Sequence, residues 1–252
     1  MLAKTRHGVH SPFVYEFVTC VLPHCRSPLG NRIEGMRHQS LRIKESVEIE
    51  DFGAGYSGAA KSIIQKTIRQ VVQSSARKQR EGELLSRMAA HYKARQVLEL
   101  GTNLGFSTMY LQAALSPDSQ LISIEGSKQL SKLAAGNLTA LGMTASLLVG
   151  EFSDVLRSQI DWTDFQPDFI LLDGNHREEA TLAYFEFLLP KVSKGAIFVL
   201  DDIYWSKGMT KAWETILQHP RVTVSIDLFD LGICFLDRNQ AKEHFRLMSW
   251  AL

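Results

Sequence analysis

Cysteine is scarce in this chain of 252 residues: Cys20, Cys25 and Cys234 are the only three, and none forms a CxxC pair. An odd, scattered set argues against a disulfide framework and against a thiolate metal site, and leaves each thiol to pack as a small reduced side chain. Long apolar runs are missing too. None approaches the ~18 residues needed to span a bilayer. The opening Met1-Leu2-Ala3-Lys4-Thr5-Arg6-His7-Gly8 lacks the apolar centre of a secretory signal. A cytoplasmic protein without a membrane partner is expected. Neither an internal repeat nor a low-complexity tract occurs, so solenoids and flexible arrays are set aside.

What is present is an ordinary globular composition, 45% apolar and 22% charged, with a net charge of +1. The charge is unevenly spread. Residues 61–95 carry nine Lys/Arg against Glu81 and Glu83, whereas residues 96–252 carry twelve basic and nineteen acidic side chains. A basic stretch can mark a nucleic-acid surface, but no aromatic side chain interleaves with it from Ala59 to His91, so it lacks a stacking platform. A solvated helix face is the expectation, with nucleic acid not expected as a partner.

The pattern changes near residue 82. Before it, residues 1–81 read as a helical or irregular segment. Ser11-Pro12 predicts a helix start for Val9–Leu22, Pro23–Gly30 reads as a loop, and 58–79 as a second helix. From 82 to 252, strands and helices alternate. Strands are predicted at 96–100, 121–125, 146–149, 169–172 and 196–200, and helices at 82–92, 107–115, 128–141, 178–189 and 209–219. The tail differs: Val222–Leu228 and Gly232–Leu236 are too close for a crossover helix and must form an antiparallel hairpin. A dinucleotide-binding Rossmann sheet is parallel throughout. Five parallel strands closed by an antiparallel hairpin instead predict the Rossmann-like, seven-stranded sheet of methyltransferases, flanked by helices.

The first of these strands leads into Val97-Leu98-Glu99-Leu100-Gly101-Thr102-Asn103-Leu104-Gly105-Phe106-Ser107-Thr108. A turn at the carboxyl end of a strand is where an open α/β sheet binds its ligand. Gly101 and Gly105 are spaced GxxxG, not the GxGxxG of a pyrophosphate site. Glu99 beneath the turn would repel a pyrophosphate, yet it suits the amino group of an amino acid. The second strand ends in Glu125-Gly126, twenty-four residues after Gly101, where a carboxylate can accept both hydrogen bonds of a ribose diol. The third ends in Gly150-Glu151-Phe152, a small, a polar and an aromatic residue that can flank an adenine. Asp51-Phe52-Gly53-Ala54-Gly55 looks like a rival glycine motif, but Glu48, Glu50 and Asp51 interrupt the residues leading into it, and a loop is expected there.

From Gly82 to Asp202 the chain resembles the catechol and caffeoyl-CoA O-methyltransferases, class I enzymes that use S-adenosylmethionine. The resemblance rests on Gly82-Glu83-Leu84-Leu85, the Glu99–Thr108 motif, Ile122–Ser127, Leu147–Phe152, Phe169–Asp173 and Phe198–Asp202. Arg6–Phe13 and Asp173-Gly174-Asn175-His176-Arg177 resemble uncharacterised bacterial members. The resemblance implies a small-molecule acceptor. It places Glu99, Gly101, Asn103 and Ser107 near the methionine part of the cofactor, with Thr102, Gly105, Thr108 and Asp173 also expected to bind the cofactor. Glu125-Gly126 falls to the ribose and Gly150-Glu151-Phe152 to the adenine.

It further implies Mg²⁺ held by Asp173, Asp201 and Asp202, the last an Asp where the family has Asn. Three residues after Asp173 the family commonly has Lys, and this chain has His176, which can itself be the base with no metal. Purely structural roles for these residues are the third alternative. Tyr204-Trp205 can wall an acceptor pocket or pack in the core. The N-terminal helices and the tail offer a surface for a homodimer. Two other functions stay open: a non-catalytic adenosylmethionine-binding protein, and an RNA methyltransferase using the basic 61–95 segment.

Overall fold

The computed structural model describes residues 10–51 and 62–247. The chain forms two compact units, one of Met1–Pro23 with Trp162–Leu252 and the other of His24–Asp161. Residues on both sides of position 82 therefore share a unit.

Helix α1 (Pro12–Glu16) starts at the expected Ser11-Pro12 and continues as a π-helical turn over Phe17–Val21, with Val14, Phe17, Val18 and Val21 buried. Ser11 makes no side-chain cap bond. Phe13 packs edge-on against Phe235, 4.8 Å between ring centroids.

In the His24–Asp161 unit, α2 (Pro28–Ser40) begins inside the stretch expected to be a loop. Ser27 caps it by accepting from the Gly30 N–H at 2.8 Å, and Pro28 fills the first turn. Strands β1 (Ser46–Asp51) and β2 (Ser62–Thr67) pair antiparallel, Ile49 opposite Ile64. The helix expected over 58–79 is thus corrected. Residues 62–67 are strand, and α3 (Ile68–Ser75) starts only after Thr67, which forms a capping box with Gln70. Asp51 ends β1, not a loop, while residues 52–55 lie outside the described residues. Next come α4 (Gln79–His91), β3 (Gln96–Leu100), α5 (Phe106–Gln112), β4 (Gln120–Glu125), α6 (Lys128–Ala140), β5 (Ser146–Val149) and α7 (Phe152–Ser158). Strands β3, β4 and β5 pair in parallel in that order. Helices α2, α3, α5 and α6 share a core that includes Ile33, Val72, Met109 and Leu138.

The other unit contains β6 (Phe169–Leu172), α8 (Glu178–Leu188), β7 (Ile197–Asp201), α9 (Lys207–Gln218), β8 (Val222–Asp227), β9 (Leu231–Leu236) and β10 (Glu243–Arg246). β6 and β7 are parallel, and β9 lies antiparallel between β7 and β8. The closing hairpin is therefore as expected. β10, parallel beside β8, is an eighth strand beyond the seven expected. Among the described residues no helix is long and apolar enough to cross a membrane.

Candidate functional site

Glu99 is fully buried on β3, where alternation turns its side chain into the protein. Its register partner on β4 is Ser123. The Ser123 hydroxyl donates to Glu99 Oε2 at 2.6 Å and the Thr108 hydroxyl, from α5, at 2.5 Å. With its proton committed to Glu99, the Ser123 oxygen accepts from Thr102 Oγ1, 2.5 Å away. The other carboxylate oxygen, Oε1, is buried and has no hydrogen-bond partner. Burial raises the Glu99 pKa above the usual carboxylate value, opposed by the neighbouring hydroxyls of Ser107, Ser123 and Thr108 and by the charge of Arg77.

The turn after β3 needs unusual backbone at three places: Gly101 (φ 107°), Asn103 (φ 51°) and Gly105 (φ 81°). Gly101 and Thr102 both donate to the Ile124 carbonyl, tying the turn to β4. At Gly105 a Cβ would also lie 3.2 Å from that of Ala134, so the glycine lets α6 approach closely. Asn137 of α6 donates to the Leu104 carbonyl at 2.9 Å and braces the turn from outside.

Glu125, at the end of β4, accepts from the Asn103 N–H at 2.7 Å and the Ser127 N–H at 2.9 Å. Burial raises its pKa as well, offset in part by these backbone donors. Its carbonyl accepts from Gly150, whose φ of 152° and nearness to Val155 leave no room for a side chain. Glu151 caps α7 by accepting from the Asp154 N–H at 3.2 Å, and Phe152 opens that helix, half-buried.

The expected residues Glu99, Gly101, Thr102, Asn103, Gly105, Ser107, Thr108, Glu125, Gly126, Gly150, Glu151 and Phe152 thus gather at the carboxyl ends of three adjacent parallel strands. Thr102 and Thr108 are buried there and serve the Glu99 network. Sequence reasoning missed Ser123 and Asn137. Ser123 was findable as the one hydroxyl within an otherwise apolar strand centre.

In the other unit, His176 Nε2 lies 4.0 Å from Asp173 Oδ1, both side chains largely buried. Between them Asn175 (φ 49°) donates its amide to the Tyr184 hydroxyl at 3.1 Å. Asp201 ends β7, and Asp202 follows it at φ 53° with its N–H bonded to the Asp230 carbonyl at 2.8 Å. Among the described residues no three His, Cys, Asp or Glu side chains come together as a metal ion would need. Asp173, Asp201 and Asp202 all lie at or just beyond the carboxyl ends of β6 and β7, the positions the family resemblance implies for Mg²⁺. Tyr204 is not core packing. Its hydroxyl donates to the fully buried Asp227 at 2.5 Å, where Arg246 Nε also donates at 2.7 Å, and its pKa is pushed up to about 12 by burial and the neighbouring carboxylate. Trp205 is exposed.

Residues 98–203 match the family described as a methyltransferase domain. A catechol O-methyltransferase of Mycobacterium tuberculosis (strain ATCC 25618 / H37Rv) is 28% identical over 131 residues, which is 51% of this chain and 57% of that protein. The chain spans little more than half the length of the curated relatives it matches. Among solved structures, the O-methyltransferase TomG from Streptomyces achromogenes, in complex with SAM, is 20% identical with a TM-score of 0.61, covering 88% of this chain and 94% of that one. An O-methyltransferase from Bacillus cereus, in complex with SAH, is 18% identical with a TM-score of 0.57, covering 89% and 96%. The fold is therefore the class I methyltransferase fold.

Proposed function

We propose that this chain is an S-adenosylmethionine-dependent methyltransferase that methylates an oxygen of a small-molecule acceptor. The observation that carries the reading is Glu99. A fully buried carboxylate with one oxygen unpartnered costs stability, because a desolvated acceptor without a donor is unfavourable. A ligand ammonium answers that cost. An amino acid joined to a nucleoside also suits the order of the neighbouring groups, with Glu125 for the ribose hydroxyls and Gly150-Glu151-Phe152 for the adenine.

The cofactor, when bound, supplies an electrophilic methyl group. The chain's own work is to orient, to desolvate and to accept a proton. Glu99, held by Ser123 and Thr108, fixes the amino-acid end. His176 is the base that takes the acceptor's hydroxyl proton, and Asp173 orients its imidazole and stabilises the charge it acquires. Mg²⁺ held by Asp173, Asp201 and Asp202 is the alternative to His176, and would instead lower the pKa of the acceptor hydroxyl. The test is incubation with methyl-labelled S-adenosylmethionine and a panel of phenols, with mass spectrometry of the products. Labelled ethers support the proposal. Label on nitrogen or carbon acceptors alone moves the acceptor atom, and no transfer to any acceptor favours a binding protein.

A further inference from the structure

Asp227 is fully buried at the end of β8, yet its carboxylate holds three groups that border the surface. Its Oδ2 accepts from the Tyr204 hydroxyl at 2.5 Å and from Arg246 Nε at 2.7 Å. Its Oδ1 accepts from the Phe229 N–H at 2.9 Å. Phe229 stands at φ 71°, in the left-handed region that a bulky side chain seldom enters, and its ring is 42% exposed. Strain of this kind persists only where the surroundings impose it, and it collects at binding sites.

The surface arranged in this way is aromatic, with one cation in it. Tyr204 is 38% exposed and Trp205, next to it in the chain, 68%. The Arg246 guanidinium lies 5.5 Å from the Tyr204 ring centre and 5.9 Å from that of Phe229, within cation–π reach of both. Its Nε goes to Asp227 and its Nη2 to the Tyr204 hydroxyl. Nη1 makes no hydrogen bond to a described residue, and the side chain is 31% exposed.

The same end of the sheet carries the proposed base. Strand β6 runs parallel to β7, β9 lies antiparallel between β7 and β8, and β10 is parallel to β8. The carboxyl ends of β6, β7, β8 and β10 therefore share one edge, which bears His176, Tyr204, Phe229 and Arg246 in turn. The Asp202 N–H, bonded to the Asp230 carbonyl at 2.8 Å, ties the loop of Tyr204 to the turn of Phe229. Beside His176, Glu178 accepts from Lys211 Nζ at 2.6 Å, and a Cβ on Gly208 would stand 3.4 Å from its own.

Open rings and an anchored guanidinium edge complement a planar ring that bears an anion. We infer that Phe229 and Arg246 determine the specificity for the methyl acceptor, a phenol carrying a carboxylate. The acceptor ring stacks on the exposed aromatic side chains, and its carboxylate takes Arg246 Nη1. The inference rests on the methyltransferase reading above and narrows its substrate class. Because Asp227 already fixes both Phe229 and Arg246, little ordering is lost when the acceptor arrives.

The test is methyl transfer to protocatechuate and to its neutral amide by the wild type, Arg246→Gln and Phe229→Gly. The wild type is expected to use the acid about ten- to a hundredfold more efficiently, through a lower KM, the range of a charged hydrogen bond. Arg246→Gln is expected to use the two alike. That variant also takes a donor from buried Asp227, so Phe229→Gly is the second arm. Glycine adopts the left-handed backbone without strain, so this variant should fold, with KM raised for both acceptors and kcat little changed. Equal wild-type use of acid and amide overturns the inference without any variant. So does an unmoved KM in Phe229→Gly, or methylation of other phenols with neither of these two. No transfer to any phenol instead overturns the function proposed above, and the inference with it.

Discussion

Glu99 on β3 and Ser123 on β4 stand opposite one another in the parallel register, and the serine hydroxyl donates to the carboxylate at 2.6 Å. Two levels of structure meet in this pair. Strand pairing fixes the register, and the register delivers a donor to an acid that could not otherwise stay buried.

Replacement of Ser123 by Ala is therefore expected to cost about 1–3 kcal/mol, the penalty for removing a donor from a buried charged acceptor. Thr102 loses its partner in the same step. Thermal or urea denaturation measures it, and an unchanged midpoint would show that the network contributes nothing to stability.

Gly82 meets the Tyr110 ring so closely that Gly82→Ala has no room. Overpacking of this kind costs about 1–3 kcal/mol. Circular-dichroism melts should show a clear drop, with Gly35→Ala as the control, since a Cβ there meets nothing.

The pH dependence follows from Glu99 and Glu125, both raised above the ordinary value of 4.5 by burial. A raised folded pKa makes ionisation costlier in the folded chain than in the unfolded one. The contribution to stability is full below 4.5 and is lost as pH rises through the raised value. The ligand-free chain should thus lose stability over that window, and Glu99→Gln should flatten the loss. Binding of a ligand ammonium reverses the preference, so uptake of S-adenosylhomocysteine below the raised value should release a proton. Titrations in buffers of different ionisation enthalpy read that release directly.

His176→Ala should lower the rate of methyl transfer by about 10²–10⁴, the usual worth of a general base, with little change in S-adenosylhomocysteine affinity. Asp173→Asn should do less than this, and EDTA should leave the wild-type rate intact. Release of S-adenosylhomocysteine over a pH series measures all three. A rate abolished by EDTA and restored by Mg²⁺ would contradict His176 as the unaided base.

The cofactor side was legible because its signals are local. Strands β3, β4 and β5 are short apolar runs that end in an acid or a glycine, and the periodicity finds them to within a residue. The missed elements lacked such a signal. Helix α2 carries the same Ser-Pro start as α1, but it buries only Gly30, Ile33 and Ser40, so no apolar stripe announces it. In β1 two of the acids read as interruptions, Glu48 and Glu50, share the face opposite Val47 in a hairpin strand: Val47 is buried and Glu48 exposed. β10 has four residues with only Phe245 buried, too little to distinguish from a tail. Whether Asp173, Asp201 and Asp202 converge depends on tertiary placement, and strand-end acids look alike in sequence whether or not they meet. Arg77, which is buried, shows the same limit, since charge counting cannot separate a buried guanidinium from a solvated one.

The role of Glu99 as cofactor anchor is tested most directly by titrating S-adenosylhomocysteine into the wild-type chain and into Glu99→Gln. Glu99→Gln keeps the shape of the side chain and removes the charge that meets the ammonium. Micromolar binding by the wild type, weakened about tenfold or more in Glu99→Gln, is the predicted result. Wild-type and variant affinities that coincide, or no binding by either, would contradict the claim that this buried carboxylate is the anchor of the cofactor site.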